Sequence, residues 1–181
     1  MIKVKQVKFT GGIKFAEDGT AYRHVEPGTT QYVGKPSDEI DLAWEELIRG
    51  QVVDLIGDEA KDWVNKTTRH HGQWYPVGAD VFHQLHCVNM LRRNLNPEYY
   101  KPYNPEPLHT EHMYHCLDYL RQGVMCQSDL TPMYFEYSAV RHRTRQVQET
   151  WHTCRDFDRI QAWSLARDYD AHLDGPRTHE H

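Results

Sequence analysis

A mainly α fold is what this sequence predicts, and three observations predict it. Segments 38–49, 79–95 and 110–126 repeat apolar residues at helical spacing. Proline clusters between these segments rather than inside them. Strand-like alternation is confined to the first 25 residues. The expected architecture is a compact helical domain over 1–169 with a small N-terminal β element and long Pro-rich loops. Residues 170–181 read as a polar, disordered tail. At 181 residues the chain is most simply one domain, large enough to bury a real core.

In chain order, residues 2–9 alternate as a strand. Ile13–Phe15 and Tyr22–Val25 flank Asp18-Gly19, a hairpin turn signal. Residues 26–36, with Pro27, Gly28, Gly34 and Pro36, form an extended loop. Helix 38–49 starts at a Ser37 cap, carries Asp38 and Glu39 in its first turn and stops at Gly50. Its stripe of Ile40, Ala43, Trp44, Leu47 and Ile48 faces a core. A short helix comes next over 58–66, then loop 70–78. Helix 79–95 has an apolar stripe of Val81, Leu85, Val88, Leu91 and Leu95. The prolines of 96–107 keep that stretch non-helical. Helix 110–126 carries Met113, Leu117, Leu120 and Val124 on one face. Residues 133–148 are mixed, and a last helix covers 153–168.

Composition narrows the function classes. A net charge of −5 argues against nucleic acid as partner. Mean hydropathy is −0.81, no run approaches the roughly 20 apolar residues of a membrane span, and the chain as given reads as soluble. Motifs of zinc proteases, serine hydrolases, dinucleotide and nucleoside-triphosphate sites, and zinc deaminases are missing. The 13 histidines are the outlier.

Those histidines concentrate in a doubled pattern. His83-Gln84-Leu85-His86-Cys87 reads H-x-x-H-C, and His112-Met113-Tyr114-His115-Cys116 repeats it on the next helix. Imidazole and thiolate are the donors that borderline and soft transition ions prefer. At about 100° per residue, the two histidines of one motif stand about 60° apart and can reach one ion, with the first histidine central. A single ion bound by all three residues of one motif would be strained. The comfortable arrangement gives the histidines to metal and the cysteine another neighbour. Three readings compete: a closed structural zinc site of two His and two Cys or of four His, a redox-active four-histidine centre suited to copper, and ordinary polar side chains. The duplication favours a metal site. Glu111 and Asp118 are the acidic residues within reach. Tyr119, about 20° from His112 around the helix, is a further site candidate. Four cysteines leave three pairings open.

The residues then resemble a known family. Val81 to Cys87 with His112 to Cys116 is similar to the paired H-x-x-H-C signature of UstYa-like fungal oxidases. The resemblance extends through Leu120-Arg121-Gln122, Cys126 to Pro132, His152 to Phe157, and Tyr32 to Ser37 with Trp44, covering about 30–165. It implies an oxygen-using, copper-dependent oxidase acting on a ribosomal peptide or other secondary metabolite, by cyclisation, desaturation, hydroxylation or C–H halogenation. It implies His83, His86, His112 and His115 as ligands; beside that implication, Cys87 and Cys116 stand as alternative ligands and His152 as a further candidate. It implies disulfides Cys87–Cys116 and Cys126–Cys154 in a secretory-pathway lumen, behind a membrane anchor that this chain does not carry. A homodimer sharing the site is compatible with it. The competing class is a non-catalytic binding or scaffold domain with structural zinc.

Overall fold

A computed structural model describes residues 3–67, 69, 73–147 and 149–169. The tail 170–181 and the first two residues of the chain lie outside them. Two compact units emerge, one from Met1–Thr30 with Asp129–Phe157, the other from Gln31–Ser128 with Asp158–His181. The mainly α expectation is overturned. Among the described residues, four α-helices stand beside eight strands paired as four two-stranded antiparallel ribbons. The fold is an α/β mix. Among these residues no helix is long and apolar enough to cross a membrane.

The first unit is built of ribbons. β1 (Val4–Lys8) pairs with β8 (Trp151–Arg155), Val4 opposite Arg155 and Lys8 opposite Trp151. β2 (Ile13–Phe15) and β3 (Ala21–Arg23) make the hairpin expected around Gly19, whose φ of +84° is the left-handed value the turn requires. β6 (Phe135–Ser138) pairs with β7 (Arg143–Gln146) inside the stretch read as mixed. Its alternation is hidden because charged Glu136, Arg143 and Arg145 occupy it, as suits a ribbon solvated on both faces. β8 replaces the first turn of the expected last helix. Pairing with β1 overrides local propensity there.

His152, in β8, is 8% exposed. Its ring stacks on Phe9 at 3.6 Å. Nδ1 lies 2.6 Å from Asp129 Oδ2, and Nε2 lies 3.0 Å from Thr150 Oγ1. Both ring nitrogens are therefore engaged within this unit. The Asp129 carboxyl also accepts from the Thr131 hydroxyl and amide. Those bonds, the Thr131 hydroxyl's first and His152's next, hold it down at about 2.

The second unit holds the helices. α1 (Asp38–Ile48) begins where Ser37 Oγ accepts from the Ile40 amide. It buries Ile40 and Trp44, whose indole donates to the Tyr32 carbonyl at 2.7 Å. Gly50, at φ +78°, lets the chain turn against α4 (Phe157–Leu165); a Cβ there would meet Leu165 and Ser164 at 3.2–3.3 Å. Gln161 donates to the Glu46 and Leu47 carbonyls left open at the end of α1. A 3₁₀ turn (Gly57–Ala60) stands where the short helix was expected. β4 (Val52–Leu55) pairs with β5 (Tyr75–Gly78), a ribbon that the sequence pattern does not announce. Pro76 argues against a strand, but a two-stranded ribbon has a free edge to receive it.

α2 (Asp80–Asn94) and α3 (Leu108–Gln127) differ from expectation in which face is packed. The buried cluster between them is Cys87, Met90, Met113 and Cys116. Leu95 and Val124, both placed on the apolar stripes, are 81% and 72% exposed. The motif face is itself the helix–helix contact. A buried polar clamp ties α2 to α1 and to the proline segment. Arg92 donates to Asp41 at 2.7 Å and to the Tyr100 hydroxyl at 2.8 Å, and Tyr100 in turn donates to Asp41.

Arg92→Ala leaves the Asp41 carboxylate and Tyr100 hydroxyl without their shared cation, and should cost about 3 kcal/mol in a denaturant melt. An unchanged midpoint would show that the clamp does not hold the fold. Because the Asp129 value is depressed, its contribution is complete above about pH 4 and is lost as pH falls toward about 2. Asp129→Asn should therefore flatten the acid side of a melting-temperature profile, where wild type falls steeply; parallel profiles would refute this.

Candidate metal centre

The two motif helices run antiparallel. Asn94 meets His109, His86 meets His112, His83 meets His115 and Asp80 meets Tyr119. Laying two copies of one motif antiparallel creates a local two-fold relation. The first histidine of each copy faces the second histidine of the other. The ring centroids of these cross-motif pairs are 5.6 Å apart for His83–His115 and 5.9 Å for His86–His112. Within a motif the separations are 6.1 and 6.3 Å, with the rings nearly parallel. Residues at i and i+3 send their side chains the same way, so their nitrogens do not converge as well as those arriving from a facing helix. Thus the rings of the four histidines outline a quadrilateral whose tighter edges join different motifs, while the ligand atoms that converge within 4.8 Å among the described residues are those of His83, His115 and Cys87.

The His83 and His115 Nε2 atoms lie 3.4 Å apart. An ion about 2.0–2.1 Å from each, at a tetrahedral angle, would hold them about 3.3 Å apart. Cys87 Sγ is 3.8 Å from His83 Nε2, and the ligand atoms of His83, Cys87 and His115 all lie within 4.8 Å of one another. The donors therefore fit a borderline transition ion; the oxygen-rich shell that magnesium or calcium needs is not what they offer. Burial is the main cause pushing His112 below the ordinary imidazole value, its neighbouring histidines adding to it. That favours the neutral, metal-binding form.

Cys87 and Cys116 form the floor of the cluster. Both are fully buried and stand as neighbouring thiols. Burial, then the hydrogen bond with Cys116, pushes the Cys87 thiol up to about 12, and burial raises Cys116 as well. Without a metal the sulfurs are therefore protonated at neutral pH, so thiolate ligation requires an ion to displace the proton. Cys126 lies exposed on α3 and Cys154 on β8, in different units, so neither unit by itself decides their pairing.

Tyr119 belongs to the cluster's edge. Its ring meets His83 edge-on at 4.6 Å and lies 5.5 Å from His115. Its hydroxyl donates to Asp80, whose other oxygen accepts from Gln84 at 2.6 Å. The Asp80 bond, more than burial, raises the Tyr119 phenol above its ordinary value. Gly123 allows this close approach, since a Cβ there would come within 3.0 Å of the Gln84 side chain. Asp80 is missing from the residues singled out by sequence, although its place three residues before His83 puts it on the same helix face. Asp118, one of the two acids within reach by spacing, is engaged by its own helix, although it remains within electrostatic reach of His115. It pairs with Arg121 at 2.7 Å and accepts from Gln122.

The chain matches the family described as mycotoxin biosynthesis protein UstYa over residues 2–167. It is 35% identical to the UstYa family oxidase phomYd of Diaporthe leptostromiformis, over 92% of this chain and 59% of that protein. To the UstYa family oxidase phomYc of the same fungus it is 31% identical, over 75% of this chain and 58% of that protein. The UstYa family oxidase VicYb of Bipolaris victoriae is 41% identical over half of this chain and 80% of its own length. The chain thus spans about three-fifths of the length of the first two relatives. No solved structure matches it. A match over nearly the whole described chain, with the doubled motif assembled between two helices, places this protein in the UstYa family.

Proposed function

We propose that the protein is a copper-dependent, oxygen-using oxidase that modifies a peptide or other secondary metabolite. The observation that carries this reading is the histidine quadrilateral, closed by cross-motif pairs with two nitrogens already at a metal's bite distance. The relatives named as oxidases support the reaction class. His83, His86, His112 and His115 would hold the ion, and copper is the first-row divalent ion such imidazoles bind most tightly. Copper there supplies one-electron exchange with oxygen, which side chains alone do not.

The rest falls to the chain. The Cys87–Met90–Met113–Cys116 seam closes the inner side of the cluster to water. His115 is exposed on the outer side, where a substrate approaches. Asp80 holds the Tyr119 proton beside His83 and orients that ring. In a secretory lumen, Cys87 and Cys116 would join as a disulfide that fixes the two walls, and Cys126 would pair with Cys154. Cyclisation, desaturation, hydroxylation and C–H halogenation are all compatible with this site.

One observation favours a second reading, a binding domain with structural zinc. Cys87 stands with His83 and His115 as three donors close enough to share one ion. Metal content and oxygen uptake separate the two. Protein purified without added metal should bind copper stoichiometrically, and the double variant His83→Ala/His112→Ala, which breaks both cross-motif pairs, should lose it while keeping its circular-dichroism spectrum. Retained copper in that variant, or non-exchangeable zinc with no oxygen uptake, would sink the oxidase reading. Intact mass after alkylation without reductant should show no free thiol in lumenally produced protein; four alkylated cysteines would refute both disulfides.

A further inference from the structure

Arg92 and Arg93 are adjacent at the end of α2, yet their charges are treated differently. Arg92 is matched by the Asp41 carboxylate. Arg93 is half-buried, its guanidinium 4.9 Å from the Tyr100 ring and 5.3 Å from the Tyr103 ring. Two aromatic rings flank the guanidinium but neutralise none of its charge. It borders a cavity of about 50 Å³ that Lys101 and His109 also line, and no aspartate or glutamate is among the lining residues. A pocket with two cations and no acid, on the scale of a carboxylate group, is built for an anion. Guanidinium presents the planar pair of donors that a carboxylate accepts.

The location gives the pocket a use. Met90, another lining residue, is one turn beyond His86 on α2, and His109 is one turn before His112 on α3. One turn is about 5 Å, so the pocket abuts the His86–His112 edge of the cluster. We propose that it is a substrate-anchoring subsite for a carboxylate, with Arg93 as the specificity-determining residue, which presents the neighbouring part of an acid-bearing substrate to the histidines. The anchoring role rests on the oxidase reading; carboxylate binding itself does not. The competing explanation is that Arg93 only complements the carbonyl end of α2.

Binding to metal-free protein separates these ideas, because it needs neither metal nor turnover. The probes are N-acetylglycine, which mimics a chain terminus, N-acetylaspartic α-amide, which offers a side-chain acid, and N-acetylglycinamide, which has no charge. Titrations followed by NMR shifts should show saturable binding of at least one acid, at least tenfold tighter than the neutral amide. The preferred acid identifies the source of the carboxylate. Arg93→Gln should lose that preference, and Arg93→Lys should keep only part of it because the planar fork is gone. Equal binding of amide and acid by wild type, a comparison that needs no variant, would overturn the proposal. So would an Arg93→Gln protein that is folded and still selects the acid. A helix-end role alone predicts a lower melting temperature with no change in that selection.

Discussion

Everything distinctive in the helical unit depends on how α2 and α3 touch. Their contact is a narrow seam of two cysteines and two methionines, with Leu91, Tyr119 and Leu120 packed against it. Small and adaptable sulfur side chains let the helices come close, where a stripe of leucines would hold them further apart. Because the helices are antiparallel, closeness brings histidines from unlike positions of the two motifs into opposition. The geometry of the histidine cluster is thus a property of the helix pair, which no single five-residue pattern contains.

The clamp of Arg92, Asp41 and Tyr100 shows how the rest of that unit supports the pair. Three groups that would each be costly to bury alone satisfy one another. Together they fix α1 and the proline segment against α2, and that segment carries Tyr100 and Tyr103 to Arg93. Val53 and Leu55 of β4 join Ala60 of the 3₁₀ turn in a separate apolar cluster, against which Tyr75 and Val77 of β5 pack. In the other unit the same tactic recurs on a smaller scale, with His152 satisfied on both nitrogens and covered by Phe9.

Legibility in the sequence tracks the strength of each local signal. α1 is readable almost to the residue, because Ser37, the 3.6-residue stripe and Gly50 all agree. The doubled motif and its placement on two helices are readable too. The first strand and the hairpin at Asp18-Gly19 are readable as well, but the other ribbon strands are not. Charges along β6 and β7 leave no period to detect, and Pro76 and the Trp151–Arg155 segment are settled by their partners across the ribbon. Helical wheels also misjudge which face is buried, since Leu95 and Val124 are exposed while Cys87 and Cys116 are hidden. A wheel ranks hydrophobicity; it does not show that cysteine's small volume makes it the better seam. Pairing across motifs is out of reach for a related reason, because it is decided by helix direction. Asp80, by contrast, is available from spacing alone.

The two-fold relation among the histidines ends at their own rings. Beyond His83 and His115 stand the Asp80 carboxylate and the Tyr119 phenol. Beyond His86 and His112 stand Arg93, Lys101 and His109. The four rings by themselves do little to distinguish one direction along the helix pair from the other, whereas their flanks have opposite polarity. Four histidines arranged almost symmetrically between two helices are in this way given a head and a tail, and a carboxylate-bearing guest of the proposed subsite would have a single preferred heading across them.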